Sequence, residues 1–115
     1  MTRPAIEIQN LTKSCNEALI LAALIDGPRH GYQLALFIEE QSAGFFSFNH
    51  GTLYPILHKL EKEGLIQGDW SGGDGGRKRK SYRITARGRD HSRSQQAAWD
   101  EFLKRFRQLT GGQKR

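Results

Sequence analysis

Apolar side chains recur every three or four positions in four stretches of the chain, and this spacing predicts four amphipathic helices. The first predicted helix runs from about Cys15 to Ile25 and the second from about His30 to Gln41. Gly27-Pro28 separates them, because glycine frees the backbone and proline removes a helical donor. The fourth follows Thr85, whose hydroxyl can cap a helix, and covers about Ala86 to Leu109. The pattern therefore describes a mainly helical chain.

The third predicted helix is divided most clearly into two faces. Its apolar face holds residues at i, i+3, i+4 and i+7 spacing: Leu53, Ile56, Leu57 and Leu60. Pro55 suits its first turn, where a missing N–H is not needed, and Gly64 ends it. The polar face carries hydroxyl, imidazole and ammonium groups: Thr52, Tyr54, His58, Lys59 and Lys62. Such a helix packs on a core along one side and offers the other to solvent or a partner.

After this helix the pattern changes to a short strand, from Leu65 to Trp70, then a glycine-rich turn and a return through Tyr82 to Ile84. The returning arm opens with four consecutive cations: Arg77, Lys78, Arg79 and Lys80. Adjacent cations repel one another, so we expect a polyanion to lie against them. Helices followed by a hairpin with a basic tip are the layout of a winged helix-turn-helix, a fold most often used to bind DNA.

Charge is distributed unevenly along the 115 residues, whose formal net charge is +6. Up to Gly76 the sequence has five Lys/Arg and nine Asp/Glu, a net charge of −4. From Arg77 onward it has 13 Lys/Arg and three Asp/Glu, a net charge of +10. This asymmetry favours a polyanionic partner at the hairpin and beyond it over an ordinary solvated surface.

The second half of the fourth helix carries a seam of large apolar side chains: Trp99, Phe102, Leu103, Phe106 and Leu109. The first half, residues 86–96, has no such stripe. We expect a second copy of the chain to cover the seam, because the apolar surface of the first helix must also cover helices two and three. Packing of the seam on the first helix of the same chain is the alternative.

One domain is expected at this length, mainly α with a small β-hairpin. It divides into an N-terminal arm (residues 1–13), a winged helix-turn-helix (14–85), a dimerisation helix (86–110) and a tail (111–115). The single Cys15 excludes an internal disulfide, and the four histidines lack the spacing of a metal site. The sequence contains no nucleophile elbow and no phosphate-binding loop. We therefore expect neither an enzyme nor a cofactor and, since no apolar leader or membrane span is visible, a cytoplasmic protein.

Several sequence elements in this order resemble the PadR family of bacterial transcriptional regulators. They are Gly27-Pro28 with His30-Gly31-Tyr32, Gly51-Thr52-Leu53-Tyr54-Pro55, Leu60 to Ile66, Trp70, and Gly76-Arg77 with Tyr82 to Thr85. The single final helix is similar to that of the small subfamily. In the family a proline commonly follows the first wing arginine and an aromatic residue precedes the tyrosine, whereas this chain has Lys78 and Ser81. The wing is therefore more basic than the family pattern.

The resemblance implies a homodimeric, sequence-specific regulator, with repression as the expected effect, on a pseudo-palindromic operator in double-stranded DNA. The third helix would enter the major groove, and the wing would follow the minor groove or the backbone. DNA contacts are expected from the helix and the wing: Thr52, Tyr54, His58, Lys59, Lys62, Arg77, Lys78, Arg79 and Lys80. The dimer would be held by the seam of the final helix. Some small members bind flat aromatic compounds between paired tryptophans, so Trp99, Phe102 and Phe106 are candidates for an effector site.

Two other functions are also compatible with the sequence. A nonspecific nucleic-acid-binding protein would share the basic C-terminal part, and a protein-interaction module would share the winged-helix fold. Two residues also have a plain alternative. The ring of Tyr54 could pack on the second helix, and Trp99 could be part of a dimer core that binds no ligand.

Overall fold

The described part of the molecule combines helices with a small sheet in the order of a winged helix. The computed structural model describes residues 11–72 and 78–111. Its elements are α1 (Leu11–Ala23), β1 (Arg29–His30), α2 (Gly31–Gln41), α3 (His50–Lys62), β2 (Ile66–Ser71), β3 (Arg79–Ile84) and α4 (Ala86–Thr110). The prediction of a winged helix-turn-helix followed by a C-terminal helix is confirmed. Most of the predicted arm and residues 112–115 of the predicted tail lie outside the described residues.

The predicted hairpin forms β2 and β3, which pair antiparallel from Ile66 opposite Ile84 to Ser71 opposite Arg79. A third strand, β1, pairs with the other side of β3, with Arg29 opposite Tyr82. The sequence does not predict β1, because two residues are too few to show strand alternation and the partner strand lies far along the chain. This pairing holds the start of α2 beside the wing.

The apolar face predicted for α3 is confirmed, since Leu53, Leu57 and Leu60 are buried and Ile56 packs against them half-buried. These residues join a core to which α1, α2 and the sheet contribute: Ile20, Leu21, Leu34, Ile38, Ile66 and Tyr82. Burial of one side of α3 turns its polar side outward. The orientation of the polar face is therefore set by the core.

Two helix starts differ from the prediction. Helix α3 begins at His50, because the Oδ1 atom of Asn49 accepts from the N–H of Thr52 at 2.9 Å and caps it. Pro55 therefore lies inside the helix, and its assignment to the first turn is wrong. Helix α1 is helical from Leu11, not from near Cys15, since nothing in residues 11–14 breaks a helix. It ends at Ala23, two residues before the predicted end.

Thr85 joins α4 to the base of the hairpin and confirms the predicted cap. Its Oγ1 atom accepts from the N–H of Gly88 at 3.0 Å and donates to the carbonyl oxygen of Gly64 at 2.7 Å. Gly88 lies directly against the carbonyl group of Leu65, where any Cβ would overlap the oxygen atom. The direction in which α4 leaves the domain is therefore fixed by close backbone contact. Among the described residues, none of the helices is long and apolar enough to cross a membrane.

Candidate nucleic-acid interface

A groove lies between the start of α2, the outward face of α3 and the β2–β3 hairpin. Five of the nine residues predicted to contact DNA line this groove: Tyr54, His58, Lys78, Arg79 and Lys80. They come from α3 and from the β2–β3 hairpin, the wing, which the fold brings to one face. Cations on one wall and imidazole and phenol groups on the other are suited to a phosphate backbone lying beside base edges.

The other predicted contact residues lie elsewhere. Thr52 and Lys62 are exposed on α3 but do not line the groove. Arg77 lies outside the described residues. Lys59 is on α3 but pairs with Glu17 of α1 and with Glu63 at the end of its own helix. The fold thus brings five of the predicted residues together at the groove and places Thr52, Lys59 and Lys62 outside it.

Lys59 links α3 to α1. Its Nζ atom lies 2.9 Å from Oε2 of the buried Glu17 and 2.9 Å from Oε2 of Glu63. Burial disfavours the ammonium form, but hydrogen bonds to Glu63 and Glu17 outweigh it and raise the pKa of Lys59. The geometry gives Lys59 a structural role within the chain, and its contact with DNA stays a prediction. Spacing along α3 could not reveal this, because Glu17 is 42 residues away.

Arg79 of the wing meets the start of α2. Its Nη1 atom donates to the hydroxyl of Tyr32 at 3.2 Å, and its Cζ atom lies 5.6 Å from the centre of the same ring. Tyr32 in turn stacks on His30, with ring centres 6.2 Å apart and planes 3° from parallel. Sequence periodicity places Tyr32 on the buried side of its helix, whereas it is 43% exposed and lines the groove. Its place within the His-Gly-Tyr motif was the available signal.

Tyr54 crosses the groove toward α2. A Cβ atom on Gly31 would stand 2.5 Å from the Tyr54 hydroxyl, so the phenol occupies the space that this glycine leaves open. The ring of His50, one turn earlier on α3, lies 5.6 Å away. The alternative that Tyr54 packs on α2 therefore holds for its hydroxyl end, while the residue still lines the groove.

Trp70 is the largest exposed ring on the wing, at 66% exposure. It lies opposite Lys80 in the hairpin register, and the Lys80 Nζ atom is 5.7 Å from the centre of its ring. The sequence pattern alone gives Trp70 no role in binding. The hairpin register was the signal that places it across from a wing cation. An exposed indole beside cations offers a flat surface to a sugar edge or a base.

Comparison with known proteins decides the family. The sequence model of the PadR-like transcriptional regulator family matches residues 20–94. This chain belongs to the PadR-like family of transcriptional regulators. The family consists of regulators and not of enzymes, in agreement with the expectation from the motifs.

Several relatives of this PadR-like chain match most of its length. A transcriptional regulator of Mycobacterium tuberculosis is 36% identical over 94 residues, which are 82% of this chain and 81% of that protein. A PadR-like regulator of Bacillus cereus has a structure with a TM-score of 0.74 and 28% identity, covering 91% of this chain and 99% of that one. PadR of Bacillus subtilis, solved in complex with operator DNA, gives a TM-score of 0.63 and 28% identity over 69% of this chain. The match spans 45% of that longer chain.

The seam of α4 in this PadR-like protein is covered only in part by its own chain. Trp99 and Phe102 are half-buried, whereas Leu103, Phe106 and Leu109 are 42%, 54% and 87% exposed. The rings form a continuous series, with centres 5.5 Å apart for Trp99 and Phe102 and 6.1 Å apart for Phe102 and Phe106. The predicted alternative of packing on α1 stays open for Trp99, which lines one groove with residues of α1, and the distal part of the seam is exposed.

A second groove, lined largely by apolar side chains, separates α1 from α4 beside Trp99. Cys15 and Leu19 line it from α1, Trp99 and Leu103 line it from α4, and Phe46 also contributes to the lining. Burial raises the pKa of the Cys15 thiol, so the thiol stays protonated. The groove is therefore a mainly apolar surface, with Gln96 and Asp100 as its polar lining residues.

Proposed function

We propose that this PadR-like protein acts in the cytoplasm as a homodimeric repressor of a pseudo-palindromic operator. The observation that carries the proposal is the groove where Tyr54 and His58 of α3 face the wing cations. In this arrangement α3 supplies base contacts from the major groove, and Lys78 and Arg79 supply phosphate contacts. The similarity to Bacillus subtilis PadR, whose structure contains operator DNA, supports DNA as the ligand.

The proposed dimer is held by α4. Its distal apolar side chains Phe106 and Leu109 are exposed beyond the domain, and the apolar groove between α1 and α4 is a suitable surface for a partner's helix. Association of two copies would remove both surfaces from water, and burial of large side chains is the main favourable contribution to such interfaces. Two-fold symmetry would then place two α3 helices one DNA turn apart on an inverted repeat.

An apolar effector is proposed to bind beside Trp99, with Phe102 and Phe106 as further wall residues. The half-buried indole and the neighbouring groove are suited to binding a flat aromatic compound, because offset or edge-to-face rings attract each other. A ligand there lies at the helix that sets the spacing between the two DNA-binding domains. It would release the operator by changing that spacing.

Selection from a pool of random double-stranded DNA tests the central proposal. We expect an enriched inverted repeat, with half-site centres about 10 base pairs apart or a multiple of this spacing. Enrichment of no sequence despite retained DNA would identify a nonspecific binder. Failure to retain DNA at low salt would favour a protein-interaction module. A reporter gene behind the selected site should then be expressed more strongly when the regulator is deleted, and the opposite change would identify an activator.

Indole fluorescence tests the effector proposal. Flat aromatic cations and phenolic compounds should quench the protein, and Trp99→Ala should abolish the quenching. Trp70→Phe is the matched control, because it removes the other indole, which lies on the wing away from α4. Quenching that survives Trp99→Ala and disappears in Trp70→Phe would show that such compounds bind at the wing.

A further inference from the structure

An acidic side chain lies between α3 and the two strands of the wing, next to the proposed DNA-binding groove. Glu61 lies near the end of α3 and reaches both strands of the wing. Its Oε1 atom accepts from Nζ of Lys80 on β3 at 3.0 Å, and its Oε2 atom accepts from the N–H of Gly68 on β2 at 3.2 Å. A carboxylate is repelled by a phosphate backbone, so its presence here requires a structural reason.

Gly68 makes the link between α3 and the wing compact. A Cβ atom at this position would overlap Cε of Lys80 and stand 3.1 Å from Oε2 of Glu61. The alkyl chain of Lys80 therefore crosses directly over the glycine to reach the carboxylate. The Lys80 ammonium group, the Glu61 carboxylate and the Gly68 N–H therefore lie close together between α3 and the hairpin.

The side chain of Lys80 is less exposed than those of its neighbours Lys78 and Arg79. Its side chain is 21% exposed, and its Nζ atom lies 5.3 Å from the ring centre of Tyr82. The hydrogen bond to Glu61 raises the pKa of Lys80, and the same bond lowers the pKa of Glu61. Both groups are thus charged and directed at each other, whereas Lys78 and Arg79 are exposed.

We propose that Glu61 is a positioning residue for operator recognition: it holds the wing at a fixed distance from α3 through Lys80 and the Gly68 N–H. The inference rests on the proposed binding of DNA in the groove between these elements. A base contact from α3 and a phosphate contact from the wing can form together only if their separation matches the DNA. In this role Lys80 completes the link instead of contacting phosphate.

Glu61→Ala tests the proposal through the sign of its effect. Removing a negative charge beside DNA should by charge alone strengthen binding to every sequence. The positioning role predicts that affinity for the selected operator falls, by about tenfold if one base contact is lost, while affinity for random DNA is unchanged or higher. Retained binding to random DNA also shows that the variant is folded.

Asp69→Ala is the matched control for charge. Asp69 is a carboxylate of the same wing, but it pairs with Arg83 of β3 at 3.3 Å, within the hairpin. Its removal should change the affinities for operator and random DNA by the same factor and leave their ratio constant. If Glu61→Ala behaves like this control, Glu61 acts only through its charge and the inference is wrong.

The salt dependence of DNA binding by Lys80→Ala distinguishes two roles for Lys80, a link to Glu61 and a contact with phosphate. Loss of a phosphate contact should lower both affinities and reduce the slope of log affinity against log salt by about 0.9. The positioning role predicts an unchanged slope and a loss confined to the operator. Lys78→Ala is the comparison expected to reduce the slope. Equal losses and a reduced slope for Lys80→Ala would overturn the inference, whereas a wild-type protein that selects no operator would overturn the proposed function instead.

Discussion

Gly88→Ala is the most informative single change in the fold, because two opposite effects meet at this position. Alanine usually stabilises a helix relative to glycine, by roughly 0.5–1 kcal/mol. Here the added methyl group would overlap the carbonyl oxygen of Leu65 and stand 2.7 Å from Cγ1 of Ile84. Backbone contacts relax poorly, so α4 must move away from the base of the hairpin.

The expected cost follows from the contacts that such a movement strains. Overpacking in a closely packed site costs about 1–3 kcal/mol. Partial loss of the Thr85 cap, whose hydroxyl also donates to Gly64, would add up to about 1 kcal/mol. After subtraction of the helix preference, we expect a net destabilisation of about 2 kcal/mol, which lowers the midpoint of thermal unfolding by roughly 8 °C.

Urea unfolding at fixed protein concentration measures this change, since the proposed dimerisation would make stability depend on concentration. Gly51→Ala is the matched control. Gly51 lies in the first turn of α3, and a Cβ atom there would meet Asn49 Oδ1 at 3.4 Å and no closer atom. That variant should be as stable as the wild type or slightly more stable. If Gly88→Ala is no less stable than Gly51→Ala, the close contact between α4 and the hairpin does not fix the helix.

Three further outcomes are expected. Phe106→Glu should sediment as a monomer and lose operator affinity, because an unpaired charge buried in an interface costs several kcal/mol; a dimer in the ultracentrifuge would place the interface elsewhere. Neutralising Lys78 and Arg79 together should weaken binding to operator and random DNA alike and reduce the salt slope by about 2, and an unchanged slope would separate the wing from the phosphate backbone. Because the hydrogen bond from Lys80 lowers the pKa of Glu61, the stability from this pair is present above the carboxyl's ordinary value of 4.5 and is lost as the pH falls through the lowered value. Urea unfolding from pH 7 to pH 3 should therefore show a shallower acid loss for Glu61→Ala, and an identical loss would mean that the pair does not stabilise the fold.

Local sequence patterns predicted those parts of the fold that depend on neighbours along the chain. The leucines of α3 recur with the helical period, Gly64 takes a positive φ of 78° where the helix ends, and Thr85 has the hydroxyl that a helix start requires. Each signal lies within a few residues of the structure it specifies. Such features follow from backbone geometry and one-sided burial, which a single sequence displays.

The parts that were missed depend on contacts between distant segments. The two residues of β1 become a strand only because β3 lies beside them, and Tyr32 lines the groove, where Arg79 of the distant wing contacts its hydroxyl. The two paired lysines show the same limit. Lys59 on the polar face of α3 and Lys80 in the run of wing cations are both predicted as free, but the fold brings a carboxylate partner near each of them. The wing was therefore predicted as a charged surface, without the pairs that organise it.

The pairing of Lys59 and Lys80 with carboxylates of the same chain also affects how a DNA-binding protein is distributed in a cell. Each free cation that meets phosphate strengthens attachment to any sequence, and a genome offers roughly a million to a billion competing sites. A lysine that stays paired with a carboxylate of its own chain would contribute less to that attachment than a free cation. A smaller share of the molecules is then held at nonspecific sites. Fewer copies are therefore needed to occupy one operator.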